Sequence, residues 1–404
     1  MNILYLDYHA GDPHTGGDQR AYLLAREWTA AGDEVTVAAA QHSHRRTRAP
    51  AVENDLQERE CSGVRFLTVK TEPYTSGVGS IRKSIGDYLK KLWLAAPSLA
   101  EHYRPDFVIA AGGFPYDIFP ARRIARLAGA KLVFEVREIW PRLQEELYPT
   151  GDSRAVRFLG ERAMDYALKK ADLTASLLPG TLRYCEERGI TPQRLVTIPA
   201  GAPPLPAAKP LPQEAEKRLE EFRGKYRFVV VFAGRLTSRG CPEALKRAVL
   251  SLGEEGIGAV VSGNGGRKLM LRRMVREQQA SNILLLDALT STSSETLFKS
   301  ADALFYADTR EVSGRYGAWR PRLLQMLQEE KPMLLYLKGE SPEAVAYGAA
   351  LAARNEDELP ALLRKLAAMS PAERQGMGKC AGDLVRQKHS LKETAKEYRE
   401  ALAL

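Results

Sequence analysis

Short apolar runs alternate with longer stretches of helical periodicity from one end of the chain to the other, the pattern of parallel sheets wrapped in helices. Runs at 2–6, 34–39, 107–110, 131–135, 173–175 and 195–198 predict the strands of a first half. A second set at 228–232, 259–262, 283–286, 303–306 and 332–336 predicts those of another. Between them stands "IPAGAPPLPAAKPLPQ", residues 198–213, whose prolines fit neither a helix interior nor a central strand, so it reads as a linker. Residues 214–223 then predict a charged helix leading into the second sheet. The fold class expected is α/β, with two Rossmann-like doubly wound parallel-sheet domains facing across a cleft. In such sheets ligands gather at the carboxyl ends of the strands, which is where chemistry should be sought.

Length and composition agree with this division. A chain of 404 residues exceeds one compact domain and suits two, and 44% hydrophobic residues can fill a core in each. The charged residues, 27% of the chain, mix both signs, which describes a solvated globular surface and excludes a disordered chain. A net charge of +9 favours anionic partners, whether phosphorylated small molecules, an acidic membrane surface or nucleic acid. Nucleic acid ranks last because no recognition motif accompanies the charge. Cys61, Cys185, Cys241 and Cys380 lie far apart without a CxxC pair, against a zinc site or a disulfide framework. No basic segment precedes the short N-terminal apolar run, and no stretch approaches about 18 uninterrupted apolar residues. The expected location is the cytoplasm, free or peripheral on the inner face of the membrane.

Several stretches after predicted strands could carry chemistry. In "DYHAGDPHTGG", Gly16 and Gly17 precede a helix, where glycines let the backbone approach a ligand and free N–H groups suit an anion. A plain turn loop is an equal reading, and without GxGxxG the nicotinamide reading loses its support. His9 and His14 share this loop but lack partners at metal-ligand spacing, leaving contact with an acceptor or a phosphate as their functional option. "EVREIWP" crowds Glu135, Arg137, Glu138 and Trp140 at a strand end, either a polar binding surface or a structural ion pair. "VVVFAGRLTSRG" places Arg235 and Arg239 beyond Gly234, and "SGNGG" follows the next strand with Gly263. Two guanidinium forks could hold a diphosphate, or simply solvate a loop. Further on, Arg310, Glu311, Arg315, Tyr316, Arg320 and Arg322 cluster ahead of a helix, framing an anion or forming a surface loop. Finally, Arg82, Lys83, Lys90 and Lys91 interleave with Ile85, Leu89, Leu92, Trp93 and Leu94, as in a membrane-surface helix or an ordinary half-buried one.

The order of these motifs resembles the GT-B glycosyltransferases of family 4 over nearly the whole chain: the glycine pair, "GDEV", "ADLTASLLPGTLRYCEERGITPQRLVTIPAG", "FAGRLTSRG", "SGNGG", "SADALFY" and "EEKPML". "RPDFVIAAG" followed by "KLVFEVREIWP" is similar to a subgroup that mostly builds O-antigen or capsular chains, including aminosugar transferases, on lipid-linked acceptors. The resemblance implies a retaining transfer of a hexosyl or N-acetylhexosaminyl unit from a nucleotide-sugar donor to a saccharide or lipid-linked hydroxyl. It implies no cofactor and no required metal, and no DxD occurs. It implies an acceptor domain over residues 1–205, completed by a C-terminal helix at 388–404 that crosses back, and a donor domain over 206–387. Carried over, Arg235 and Arg239 are the catalytic cations on the donor diphosphate. Gly16, Gly17, Gly234, Gly263, Arg322 and Gln325 border the donor, and His14, Arg137 and Glu138 the acceptor. Two family glutamates are missing, their positions falling at Gly317 and Gln325, and Ala200-Gly201 replaces a usual Asn-Gly. A nucleotide-sugar-binding module without catalysis, or a transferase using a soluble acceptor, are therefore the alternatives.

Overall fold

The computed structural model describes residues 1–74, 78–111, 113–147, 154–237, 240, 242–318, 320–339 and 343–404. The chain divides into two units, one of residues 1–203, 316–319 and 391–404, the other of residues 204–315 and 320–390.

The first unit runs β1 (Asn2–Leu6), α1 (Arg20–Ala30), β2 (Glu34–Ala40), β3 (Leu56–Cys61), β4 (Val64–Val69), α2 (Val78–Tyr103), β5 (Phe107–Ala110), α3 (Ile118–Ala128), β6 (Lys131–Val136), α4 (Trp140–Leu147), α5 (Arg154–Lys170), β7 (Leu173–Ser176), α6 (Thr181–Glu187) and β8 (Leu195–Thr197). The second runs α7 (Gln213–Arg223), β9 (Phe228–Arg235), α8 (Pro242–Leu250), β10 (Ile257–Asn264), α9 (Lys268–Glu277), β11 (Ile283–Leu286), α10 (Ser291–Lys299), β12 (Ala303–Asp308), α11 (Pro321–Leu327), β13 (Met333–Leu337), α12 (Glu343–Ala346), β14 (Ala350–Ala353), α13 (Leu359–Ala368) and α14 (Pro371–Lys388). The last helix, α15 (Leu391–Ala403), is grouped with the first unit, where Trp28 Nε1 donates to the Ala395 carbonyl at 2.8 Å.

The first sheet has eight strands in the order β3-β4-β2-β1-β5-β6-β7-β8. Its pairings are parallel except β3 with β4, an antiparallel hairpin that ends the sheet and modifies the wholly parallel expectation. Leu4, Leu6, Val108 and Ala110 face one buried layer and Ile3, Tyr5, Phe107 and Ile109 the other, as a sheet covered by helices on both sides requires. Helix α3 shows the rule for the covering helices: Ile118, Ala121, Ile124 and Ala125 fall on one stripe and are buried. Gly129, at φ +69°, then ends it in the left-handed conformation.

The second sheet is parallel throughout, in the order β11-β10-β9-β12-β13-β14. Residues 228–233 of β9 are all buried, which is why that strand reads as an unbroken apolar run. The strand order reverses between β9 and β12, and ligands in open α/β sheets bind at such a reversal.

Candidate active site

The second unit opens a cavity of about 920 Å³ at that reversal, over the carboxyl ends of β9, β10 and β12. Gly234 and Arg235 end β9 and lie in register with Gly263 and Asn264 at the end of β10. The two strands are so close there that a Cβ on residue 263 would stand 1.9 Å from the Gly234 carbonyl oxygen. Both glycines line the cavity, so a bound molecule meets bare backbone between Phe232 and Phe305. Ser291 and Ser294 add hydroxyls from the start of α10, where Thr290 accepts from the Ser293 N–H at 3.1 Å.

Among the described residues three arginines reach this cavity, each in a different electrostatic state. Arg235 is exposed, and among the described residues its guanidinium has no hydrogen-bond or ion-pair partner. Arg310 is buried and grips Asp308 through Nε to Oδ1 at 2.8 Å and Nη2 to Oδ2 at 2.6 Å, while Arg320 Nε donates to the same carboxylate at 3.0 Å. Burial opposes a charge on Asp308, but these guanidinium contacts outweigh it and hold the carboxyl down to about 2. Arg322, half-buried on α11, lies 4.7 Å over the Phe298 ring, donates to Gln325 Oε1 at 3.3 Å and stands 3.8 Å from Glu295 Oε1. Glu295 is itself buried, and burial together with neighbouring Glu329 pushes its carboxyl up to about 8. Cation exceeds anion at the cavity, so it suits a ligand with negative charge and an apolar or ring-bearing portion.

Of the predicted donor-side residues, Gly234, Gly263, Arg235 and Arg322 all line this one cavity, and Gln325 touches it through Arg322. Arg239 lies outside the described residues. Sequence reasoning missed Asp308, a lone acid at a strand end, and Glu295, which sits among serines with no local signal. Their roles arise from arginines on other elements. Among the described residues no group of three or more His, Cys, Asp or Glu is placed to hold a metal ion.

The first unit gathers the other predicted residues around the loop after β1. Gly16 and Gly17 have φ +69° and +94°, so the turn itself demands glycine. Their faces meet Thr47 and Arg46 rather than open space, since added Cβ atoms would stand 2.8 Å from Thr47 Oγ1 and from Arg46 Cγ. Asp12 Oδ1 closes the turn by accepting from the N–H groups of His14 and Thr15, leaving the His14 ring exposed. His9 is buried, its Nδ1 2.9 Å from Ser43 Oγ, and burial lowers its basicity.

Arg137 departs from the expectation of an acceptor-facing surface. It is 4% exposed, and its guanidinium donates to Asp7 Oδ2 (2.9 Å), Asp18 Oδ2 (3.1 Å), Glu135 Oε1 (2.5 Å) and the Tyr5 hydroxyl (3.1 Å). Arg20 shares Glu135 through bonds of 3.1 and 3.2 Å. Burial raises Asp7 to about 6 against the pull of Arg137, whereas the two arginines overcome burial at Glu135 and hold it at about 2. Three acids and two arginines out of water form a structural ion network, the competing reading of "EVREIWP". Glu138 is half-buried and lines a small hollow of about 20 Å³ with Gly113, Phe114 and Trp140.

Comparison with known proteins agrees with this architecture. Residues 15–201 match the family described as the Glycosyl transferase 4-like domain. Among solved structures, the fold is similar to sucrose-phosphate synthase from Thermosynechococcus elongatus (TM-score 0.72, 14% identity, 99% of each chain covered). It is also similar to HepE of Anabaena in complex with UDP (0.67, 13%, 100% of each). A third is WaaG, a glycosyltransferase involved in lipopolysaccharide biosynthesis (0.65, 15%, 99% of each). By sequence, no curated protein matches the chain. The chain therefore has the GT-B fold, and residues 15–201 of its N-terminal unit are similar to the glycosyl transferase 4-like domain.

Proposed function

We propose that this protein is a retaining glycosyltransferase that moves a hexosyl or N-acetylhexosaminyl unit from a nucleotide-sugar donor to a hydroxyl of a saccharide or lipid-linked saccharide, in the building of a surface polysaccharide. The observation that carries the reading is Arg235, a guanidinium unpaired among the described residues at the mouth of a cavity built by the β9–β12 reversal. A diphosphate is the ligand whose charge and geometry such a fork satisfies. The presence of UDP in one similar structure and UDP-glucose in another supports a nucleotide-sugar donor.

In this reading Arg235 and Arg239 carry the donor diphosphate, with Arg322 beside them. The acceptor oxygen attacks the anomeric carbon from the face of the leaving group. The bond to phosphate breaks, and the hydroxyl proton passes to the departing phosphate oxygen. Guanidinium charge at that oxygen lowers the barrier because it meets negative charge that develops only as the bond breaks. No metal takes part in this scheme, and His14 and Glu138 remain the acceptor-side residues. A module that binds nucleotide sugar without transferring it is the second reading, favoured by an amide at Gln325 that hydrogen-bonds Arg322 where a carboxylate is usual.

The test is turnover of a panel of UDP-, dTDP- and GDP-sugars with and without EDTA. Donor hydrolysis or transfer that survives EDTA is the expected result. Binding without any turnover across donors and acceptors would select the second reading.

A further inference from the structure

Six large apolar side chains stand in solvent on three neighbouring helices of the first unit, 40 to 66% exposed: Trp93 and Leu94 on α2, Phe119 and Leu127 on α3, Phe158 and Leu159 on α5. The helices adjoin through these faces. The Phe119 and Tyr166 rings are 5.4 Å apart, Arg122 Nη1 donates to the Tyr166 hydroxyl at 2.6 Å, and the Arg123 guanidinium lies 4.6 Å over Trp93.

The order of residues within the patch is regular. On α3, Phe119, Arg123 and Leu127 follow at four-residue steps, and on α5 so do Phe158, Arg162 and Tyr166. Residues four apart share a helix face, so each stripe sets an arginine between two apolar groups. Arg162 lies 5.3 Å over the Phe158 ring. On α3 the charge has one sign, with Arg122, Arg123 and Arg126 and no carboxylate, while of the acids of α2 Asp87 is paired with Lys91 and Glu101 is exposed two turns beyond Trp93. The two acids of α5, Glu161 and Asp165, are engaged by Arg142 and Arg188. Most apolar residues of α2, which alone suggested a membrane-surface helix, are turned inward: Tyr88, Leu92, Ala96 and Leu99 are buried. The surface is thus shared by three helices rather than owned by one.

We infer that this face docks the protein on an anionic lipid surface, with the aromatic and leucine side chains entering the headgroup boundary and the arginines meeting lipid phosphates. Apolar groups interleaved with cations satisfy both layers of such an interface, since long basic side chains can reach headgroups while their stems and neighbours stay apolar. Exposed apolar residues elsewhere, such as Leu205 and Leu269, stand on other elements, whereas these form one area of the kind that marks an interaction surface. The inference rests on this geometry and not on the transfer reaction, so either can fail alone.

The test is co-sedimentation of the full chain with phosphatidylcholine vesicles that contain phosphatidylglycerol, against phosphatidylcholine alone. The expected result is binding to the anionic vesicles, weakened at least about tenfold on neutral ones and by raised salt. Leu127→Asp and Phe158→Asp should each reduce it similarly while keeping the wild-type melting temperature. If these variants fold poorly, quenching of wild-type fluorescence by brominated phosphatidylglycerol, lost in Trp93→Phe, reads the same contact. Absence of binding at low salt would overturn the inference. So would binding that the variants leave unchanged, or variants that alter only self-association, which would make the face a protein interface.

Discussion

Arg322 Nη1 stands 3.8 Å from Glu295 Oε1, joining a cation that lines the cavity to a buried carboxyl that does not. The carboxyl comes from α10 and the guanidinium from α11, and Phe298, one turn beyond Glu295, forms the floor under Arg322. Burial and Glu329 raise Glu295 from an ordinary 4.5 to about 8, with Arg322 and Lys299 pulling the other way.

That shift predicts a pH dependence of stability. Between pH 4.5 and about 8 the folded chain holds a proton that the unfolded chain has released, so this group's contribution falls as pH rises, at most by about 1.4 kcal/mol per unit, and levels off above 8. Glu295→Gln removes the titration. Its melting temperature should therefore exceed that of the wild type by a margin that widens from pH 5 to pH 8. Parallel melting curves across that range would show that the carboxyl titrates normally.

Arg137→Met tests whether that arginine is structural. Removing it leaves Asp7, Asp18 and Glu135 buried with less counter-charge, and breaking a buried pair in this way costs about 3–5 kcal/mol. A large fall in melting temperature is expected, with acid replacement of the network by Asp7→Asn partly restoring it. A stable variant with impaired transfer would instead return Arg137 to the acceptor.

Gly263→Ala tests the close approach of β10 to β9. The new methyl would meet the Gly234 carbonyl, a backbone atom that cannot swing aside, and overpacking of this kind costs about 1–3 kcal/mol. Calorimetry should show a destabilised second unit and weakened nucleotide binding. Unchanged melting would mean that the strands part readily at their carboxyl ends.

Much of this fold is legible because its strands are buried on both faces. Residues 228–233 could be read directly from "FVVVFA", and the charged helix Gln213–Arg223 from its composition. The β3 strand "LQEREC" is half exposed at the sheet edge and keeps polar residues, while β14 is built of alanines and one leucine, so neither carries a strong strand signal. The site divides in the same way. Gly234-Arg235 ends an apolar strand and announces itself, but the burial of Arg137 depends on Asp7, 130 positions away, and the state of Glu295 on Glu329 in the turn after α11. Local pattern can place a side chain at a strand end. It cannot say whether a distant carboxylate already occupies it.

The proposed transfer depends on the β9–β12 cavity holding a donor diphosphate through Arg235. Isothermal titration of UDP and UDP-sugars into the wild type and Arg235→Ala measures it most directly. One charge-assisted hydrogen bond contributes about 1.5–3 kcal/mol, so the wild type should bind and the variant should lose roughly 10- to 100-fold in affinity with melting temperature intact. Equal affinities for the two proteins would contradict it.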